Sequence, residues 1–200
     1  MITTYKSHNG VTLVELLAAM IVAGFLLSAA IPAFMGTIGN NSSKMEANRA
    51  LMDIQLARSE AIKRGKSVYI CIADAEACDP ANPSTCRCGV DVPATRYDMG
   101  WLIFVDEDKD KDFDADTELL LFVGLPPDDV VTMVSNGTIK YGIGLQANGQ
   151  IARGDQNGKI AVCYDGESSE DLPGRRITIS MTGRTTVKMM DPGESCTPGD

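Results

Sequence analysis

The chain opens on a polar decapeptide, Met1 to Gly10, and passes at once into the apolar run VTLVELLAAMIVAGFLLSAAIPAFMG. No charged residue occurs between Leu16 and Met35, which as a helix is about 30 Å, the thickness of a bilayer core. This pattern predicts a membrane-spanning helix over residues 11–35. A secretory signal would place a shorter apolar stretch before its small-residue cleavage site. Here the small residue, Gly10, precedes the run, so a cut after it would discard residues 1–10 and keep the helix. A plain single-pass anchor is the alternative, and it leaves Glu15 unexplained, because a carboxylate in lipid needs a partner. Pro32 removes an amide donor and clashes with the preceding turn, which predicts a kink or local opening. Polar GNNSS then interrupts the pattern. Beyond it Ala47, Ala50, Ile54, Ala57 and Ala61 recur at three- and four-residue intervals, with Lys44, Glu46, Arg49, Arg58, Glu60 and Lys63 on the wetter faces. An amphipathic helix over 36–65 follows, stopped at Gly65.

From Ser67 the period changes to that of strands. Candidates are Ser67–Ala73, Gly100–Val105, Glu118–Gly124, Thr138–Ile143, Lys159–Tyr164, Arg176–Met181 and Thr185–Met189. Asn136-Gly137, Asn148-Gly149 and Asn157-Gly158 are turn signals, and Thr182-Gly183 is expected to turn the last hairpin. No linker or repeat divides residues 66–200, which predicts one mainly antiparallel sheet domain with the distal helix across one face.

The junction Gly10-Val11-Thr12-Leu13-Val14-Glu15-Leu16 resembles the leader junction of type IV pilins and type II secretion pseudopilins. That resemblance implies cleavage after Gly10 by a prepilin peptidase and methylation of Val11, although the family usually begins its mature chain with Phe. It also implies that Glu15, at the fifth mature position, registers a subunit by meeting a neighbour's terminal amine. Gly24 and Pro32 match the segment that melts in pilins on entering the filament. Arg58-Ser59-Glu60-Ala61, GWLIFVDEDKD, LQANGQI, Arg176-Ile177-Thr178-Ile179-Ser180 and Thr182-Gly183-Arg184 resemble the FimT/GspH branch. The implied fold class is α+β, a pilin-like fold whose long membrane-spanning N-terminal helix packs its distal half on a mainly antiparallel sheet. The implied placement is single-pass in the inner membrane, with residues 66–200 in the periplasm. Implied partners are other minor and major pilins or pseudopilins, an inner-membrane assembly platform and inner-membrane lipid. The length and the Arg184 turn favour a minor pilin that assembles or initiates a type IV pilus. A GspH-like minor pseudopilin of type II secretion is the alternative, and a weak DNA-binding subunit for DNA uptake another.

Charge bears on that last reading. With 27 Asp and Glu against 18 Lys and Arg the net charge is -9, which disfavours global attraction to nucleic acid. Yet Arg175, Arg176, Arg184 and Lys188 fall in a stretch, Leu172 to Met190, that lacks acidic residues. The DNA-binding members of the family carry a Gly-Arg-x-Arg turn. Here it reads Gly183-Arg184-Thr185-Thr186, and threonine replaces neither the charge nor the donor fork of the second arginine. The expectation is weak DNA binding at most, without sequence preference.

Other chemistry is thin. The run Asp106, Asp108, Asp110, Asp112, Asp114 and Asp116 offers hard oxygen donors suited to calcium, with Asp106, Asp108 and Asp110 the best ligands. An EF-hand loop beginning at Asp106 would need glycine and glutamate where Lys111 and Thr117 stand, which favours a solvated hairpin tip. Six cysteines allow 15 full pairings. A pair of local bridges among Cys71, Cys78, Cys86 and Cys88 plus Cys163–Cys196 is the economical arrangement. The spacing lacks the paired CxxC knuckles of a zinc site. The lone histidine, His8, lies in the leader, and no phosphate-cradling loop or nucleophile–base pattern occurs. Trp101 suits a core anchor. No catalytic activity and no cofactor other than calcium are expected.

Overall fold

The computed structural model describes residues 12–74, 78–79, 82–89, 96–152, 157–165, 174–191 and 194–196, without the side chains of 29, 31–36, 83 and 98. Contacts divide the chain into two compact units, Met1–Ile38 and Gly39–Asp200. One helix, α1 (Leu13–Arg64), runs through the boundary. Thr12 begins it: the Glu15 amide donates to Thr12 Oγ1 at 3.3 Å, satisfying a donor that the first turn leaves open. Gly65 ends it at φ +66°, and the Lys66 amide closes back on the Ala61 carbonyl at 3.3 Å, a Schellman stop. The polar GNNSS segment does not break the helix. Ser43 is buried and donates its hydroxyl to the Gly39 carbonyl at 3.1 Å, so its side chain is satisfied within the helix.

Among the described residues no helix is long and apolar enough to cross a membrane. This overturns the membrane-spanning helix expected over 11–35, and with it the single-pass inner-membrane placement and the periplasmic assignment of residues 66–200. Helix α1 is 52 residues long. Glu15 stands near its start, and from Asn40 onward α1 is polar and charged.

The strands are β1 (Val68–Ile72), β2 (Trp101–Val105), β3 (Leu119–Gly124), β4 (Val131–Ser135), β5 (Gly142–Leu145), β6 (Gly158–Tyr164), β7 (Arg175–Ile179) and β8 (Thr185–Met189). Among the described residues they form two antiparallel sheets rather than one, ordered β3-β2-β1-β5 and β4-β6-β7-β8. Strand β4 was not anticipated, and the segment expected as a strand from Thr138 instead begins as a 3₁₀ turn, Gly137–Ile139. Ile139 is buried there, and its carbonyl accepts the Tyr97 hydroxyl at 3.0 Å. Asn136 Oδ1 accepts the Lys159 amide at 3.0 Å. Core packing thus claims the residues before β5 and overrides their strand propensity.

One core joins α1 to both sheets. Ala47, Ala50, Ile54, Ala57 and Ala61 meet Val68, Ile70, Ile72, Trp101 and Ile103 of the first sheet, and Met133, Ile160, Val162, Ile177 and Ile179 of the second. The alanines let the helix backbone approach closely, while each large aliphatic side chain buried stabilises by roughly 1.5–3 kcal/mol. The alternate residues of β1 and β2 are covered too. Tyr69, Cys71, Leu102 and Phe104 pack with Cys86 and Phe113 on the far face, so these strands are buried throughout.

Candidate functional site

Glu15 is the acidic residue of the first turn of α1 and is exposed. The helix N-terminus favours a negative charge there, and no cationic side chain pairs with it among the described residues. Gly24 is also exposed, and a Cβ built on it would meet nothing within 4 Å; packing within the chain does not require glycine at that position. Gly10 and Val11 lie outside the described residues, as does the side chain of Pro32, through whose position the helix continues.

In the distal half of α1, charged residues that the helical pattern placed on wetter faces are drawn into the fold. Glu46 is buried and pairs with Arg49 at 3.2 Å. The Arg49 guanidinium lies 5.1 Å from the Trp101 ring and donates to the Leu125 carbonyl. Beneath it the Trp101 indole donates to Asp53 Oδ2 at 3.1 Å. Burial raises the Asp53 pKa, against the Trp101 hydrogen bond and Arg49, which lower it. Burial likewise raises that of Glu46, with Arg49 opposing and Asp128 and Asp53 adding to the rise. The void beside Asp53 and Trp101 holds about 10 Å³, too little for a small-molecule ligand. Trp101 is a satisfied core anchor.

Arg58 closes a second junction. It donates from Nε to the Gly149 carbonyl at 3.0 Å and from Nη2 to the Thr182 carbonyl at 3.3 Å, holding two turns against one helix. Both turns use glycine in the left-handed region, Gly149 at φ +75° and Gly183 at φ +73°. A Cβ on Gly183 would lie 2.0 Å from the Gly149 carbonyl oxygen. Glu46, Arg49, Asp53 and Arg58 could have been suspected from sequence only by noticing that their spacing returns them to the alanine stripe.

The acidic loop joins β2 to β3. Asp106 is buried at its mouth, while residues 107–112 are exposed. Burial raises the Asp106 pKa, against backbone hydrogen bonds from Lys109 and Lys111. It also raises that of Glu118, which accepts the Glu107 and Asp114 amides. Asp106 and Asp108 stand with Glu118, and Asp108 and Asp110 with Asp114, each triad having carboxylate oxygens within 4.8 Å. Phe113 folds the loop onto the sheet, its ring 5.3 Å from that of Phe104.

The cations near the C-terminus do not share one face. Arg175 is buried and donates to Asn40 Oδ1 at 2.7 Å. Arg176 and Lys188 are cross-strand partners on β7 and β8, with Arg176 ion-paired to Glu194. Arg184 is exposed in the last turn. The cysteines pair as Cys71–Cys88, Cys78–Cys86 and Cys163–Cys196, with Cα separations of 5.6, 3.9 and 6.2 Å. None is free, so no thiolate remains for zinc.

The helix stripe and strands β1 to β7 fall within residues 46–183, which match the family model of the type II transport protein GspH. The chain belongs to the GspH family. A prokaryotic N-terminal methylation motif matches residues 5–31, spanning Gly10, Val11 and Glu15. No curated protein matches the chain. Among solved structures it is similar to the type IV minor pilin FimU of Pseudomonas aeruginosa, at 18% identity and a TM-score of 0.53 over 78% of this chain and 96% of that one. The minor pseudopilin EpsH from the type 2 secretion system of Vibrio cholerae aligns at 13% identity and a TM-score of 0.45, over 76% and 99%. As a GspH-family protein the chain is a non-enzymatic, pilin-like subunit that works in filament assembly or secretion.

Proposed function

We propose that this GspH-family chain is a minor pilin that enters, or starts, a type IV pilus, and that Glu15 registers it against its neighbour. The observation that carries this is Glu15 itself, an exposed carboxylate without a cationic partner among the described residues, within the matched methylation motif. Cleavage after Gly10 by a prepilin peptidase frees an amine at Val11, the first position of a mature chain in which Glu15 is the fifth. In a packed filament the amine of one subunit supplies the counter-charge for Glu15 of the next, and a desolvated carboxylate left alone would be costly. The exposed helix surface at Gly24 leaves room for a neighbouring helix. The Arg184 turn and the fold shared with FimU favour a pilus. A minor pseudopilin of type II secretion is the second reading, supported by the GspH family itself.

Mass measurement of the protein isolated from its host should show a chain beginning at Val11 and bearing one methyl group. An intact Met1 would overturn the processing step. Pull-down of the full chain should recover other filament subunits, and Glu15→Leu should lose them while the sheets stay folded by circular dichroism. Recovery unchanged by Glu15→Leu would sink the role of Glu15. Deleting the gene should abolish surface pili and leave protein export intact; the reverse outcome would assign the chain to secretion.

A further inference from the structure

The loop between β2 and β3 has a feature that a solvated hairpin tip does not need. Asp106 is 5% exposed, and its Oδ1 is buried with no hydrogen-bond partner. A buried carboxylate oxygen without a donor is costly unless a cation completes it. The donors within reach are further carboxylates: Asp108 and Glu118 share a cluster with Asp106, and Asp110 and Asp114 share one with Asp108. Two oxygens on opposite sides of a calcium ion, each about 2.4 Å away, stand about 4.8 Å apart, the span within which each of these triads falls.

We propose that this loop is a calcium site, with Asp106, Asp108, Asp110, Asp114 and Glu118 as its oxygen donors. The two departures from an EF-hand pattern are repaired by the fold. Lys111 stands where glycine is usual, yet it adopts φ +72°, the left-handed conformation for which glycine is used. Its ammonium lies 5.9 Å from the Tyr69 ring centroid, drawn to an aromatic face. Thr117 stands where the closing glutamate is usual, and Glu118, the next residue, joins Asp106 and Asp108 instead. Each carboxylate that already accepts a backbone amide keeps lone pairs for a metal. An all-oxygen cage of several carboxylates suits calcium, which accepts six to eight ligands in flexible geometry. Magnesium requires a near-ideal octahedron and keeps its waters. Since Asp106 follows β2 directly and Glu118 directly precedes β3, the ion would clamp the hairpin where its strands diverge.

The test uses the full-length chain stripped with EGTA and titrated with calcium chloride or magnesium chloride by calorimetry. Calcium should bind saturably at one site per chain and raise Tm by about 5–10 °C at a hundredfold excess over Kd. It should also slow tryptic cleavage after Lys109 and Lys111. Magnesium should bind at least tenfold more weakly. Asp106→Asn should abolish binding; Asp110→Asn, at an exposed position where the amide oxygen can still accept the Asp112 amide, should weaken it at least tenfold. Absence of saturable binding up to about 10 mM calcium, which exceeds the weakest such modules, would overturn the proposal. So would equal binding of magnesium, or wild-type affinity in Asp110→Asn.

Discussion

Replacing Arg58 with alanine isolates the junction that holds two turns to the helix. The substitution keeps helix propensity and deletes one guanidinium that donates to the Gly149 carbonyl at 3.0 Å and the Thr182 carbonyl at 3.3 Å. Hydrogen bonds from a charged donor contribute roughly 1.5–3 kcal/mol each when well formed. The bond to Thr182 is longer and exposed, and water can replace it in part, so the pair together should be worth about 2–3 kcal/mol. With a urea m-value of about 2 kcal/mol/M, the midpoint should fall by about 1 M. Amide exchange at Gly149 and Gly183 should accelerate before global unfolding, because each turn loses its tie to α1. Arg58→Lys tests the geometry. One ammonium cannot span both carbonyls as the planar fork does, so lysine should recover at most half of the loss. A midpoint within about 0.2 M of wild type in Arg58→Ala, or full recovery by lysine, would refute the clamp.

Gly183→Ala should destabilise the protein by at least about 2 kcal/mol in the same urea assay. The residue would be held at φ +73° with its Cβ against the Gly149 carbonyl, and the left-handed conformation alone costs roughly 1–2 kcal/mol; a neutral outcome would mean the two turns do not touch. Asp53→Asn keeps an acceptor for Trp101 and removes the charge that burial disfavours. Because the Asp53 pKa is raised in the folded protein, the folded state holds its proton more tightly than the unfolded chain. Its contribution to stability is therefore complete below the unfolded pKa and is lost as pH rises through the folded value. The stability of wild type relative to Asp53→Asn should decline across that window in urea melts, and a difference that grows with pH would reverse the assignment. Cys196→Ser opens the bridge to Cys163, which spans 33 residues, and should cost about 3–4 kcal/mol if the denatured chain gains the full loop entropy. A non-reducing peptide map with Cys163 joined elsewhere would contradict the pairing directly.

What sequence alone determined here is what local spacing can encode. The alanine and isoleucine stripe named the buried face of α1, because packing on one side leaves a 3.6-residue period whatever lies opposite. Gly65, Gly149 and Gly183 marked the helix stop and two turns, because few other residues accept positive φ. The junction around Gly10 and Glu15 is a short linear motif and needs no fold to be seen. Tertiary structure decided the rest. Strand β4 and the second sheet depend on which apolar segments find each other, and Ile139 left its strand because the core took its side chain. Sequence period could not show that Arg49, Asp53 and Arg58, each able to stand in water, have partners as distant along the chain as Trp101, Gly149 and Thr182. Nor could it separate Arg175 from Arg176: adjacent residues of a strand face opposite ways, and only the tertiary structure put one beside Asn40 of α1 and the other beside Glu194 of the tail. The acidic loop shows the same division. Its carboxylates were legible in order, but burial of Asp106 and the arrival of Glu118 exist only once β2 and β3 have paired.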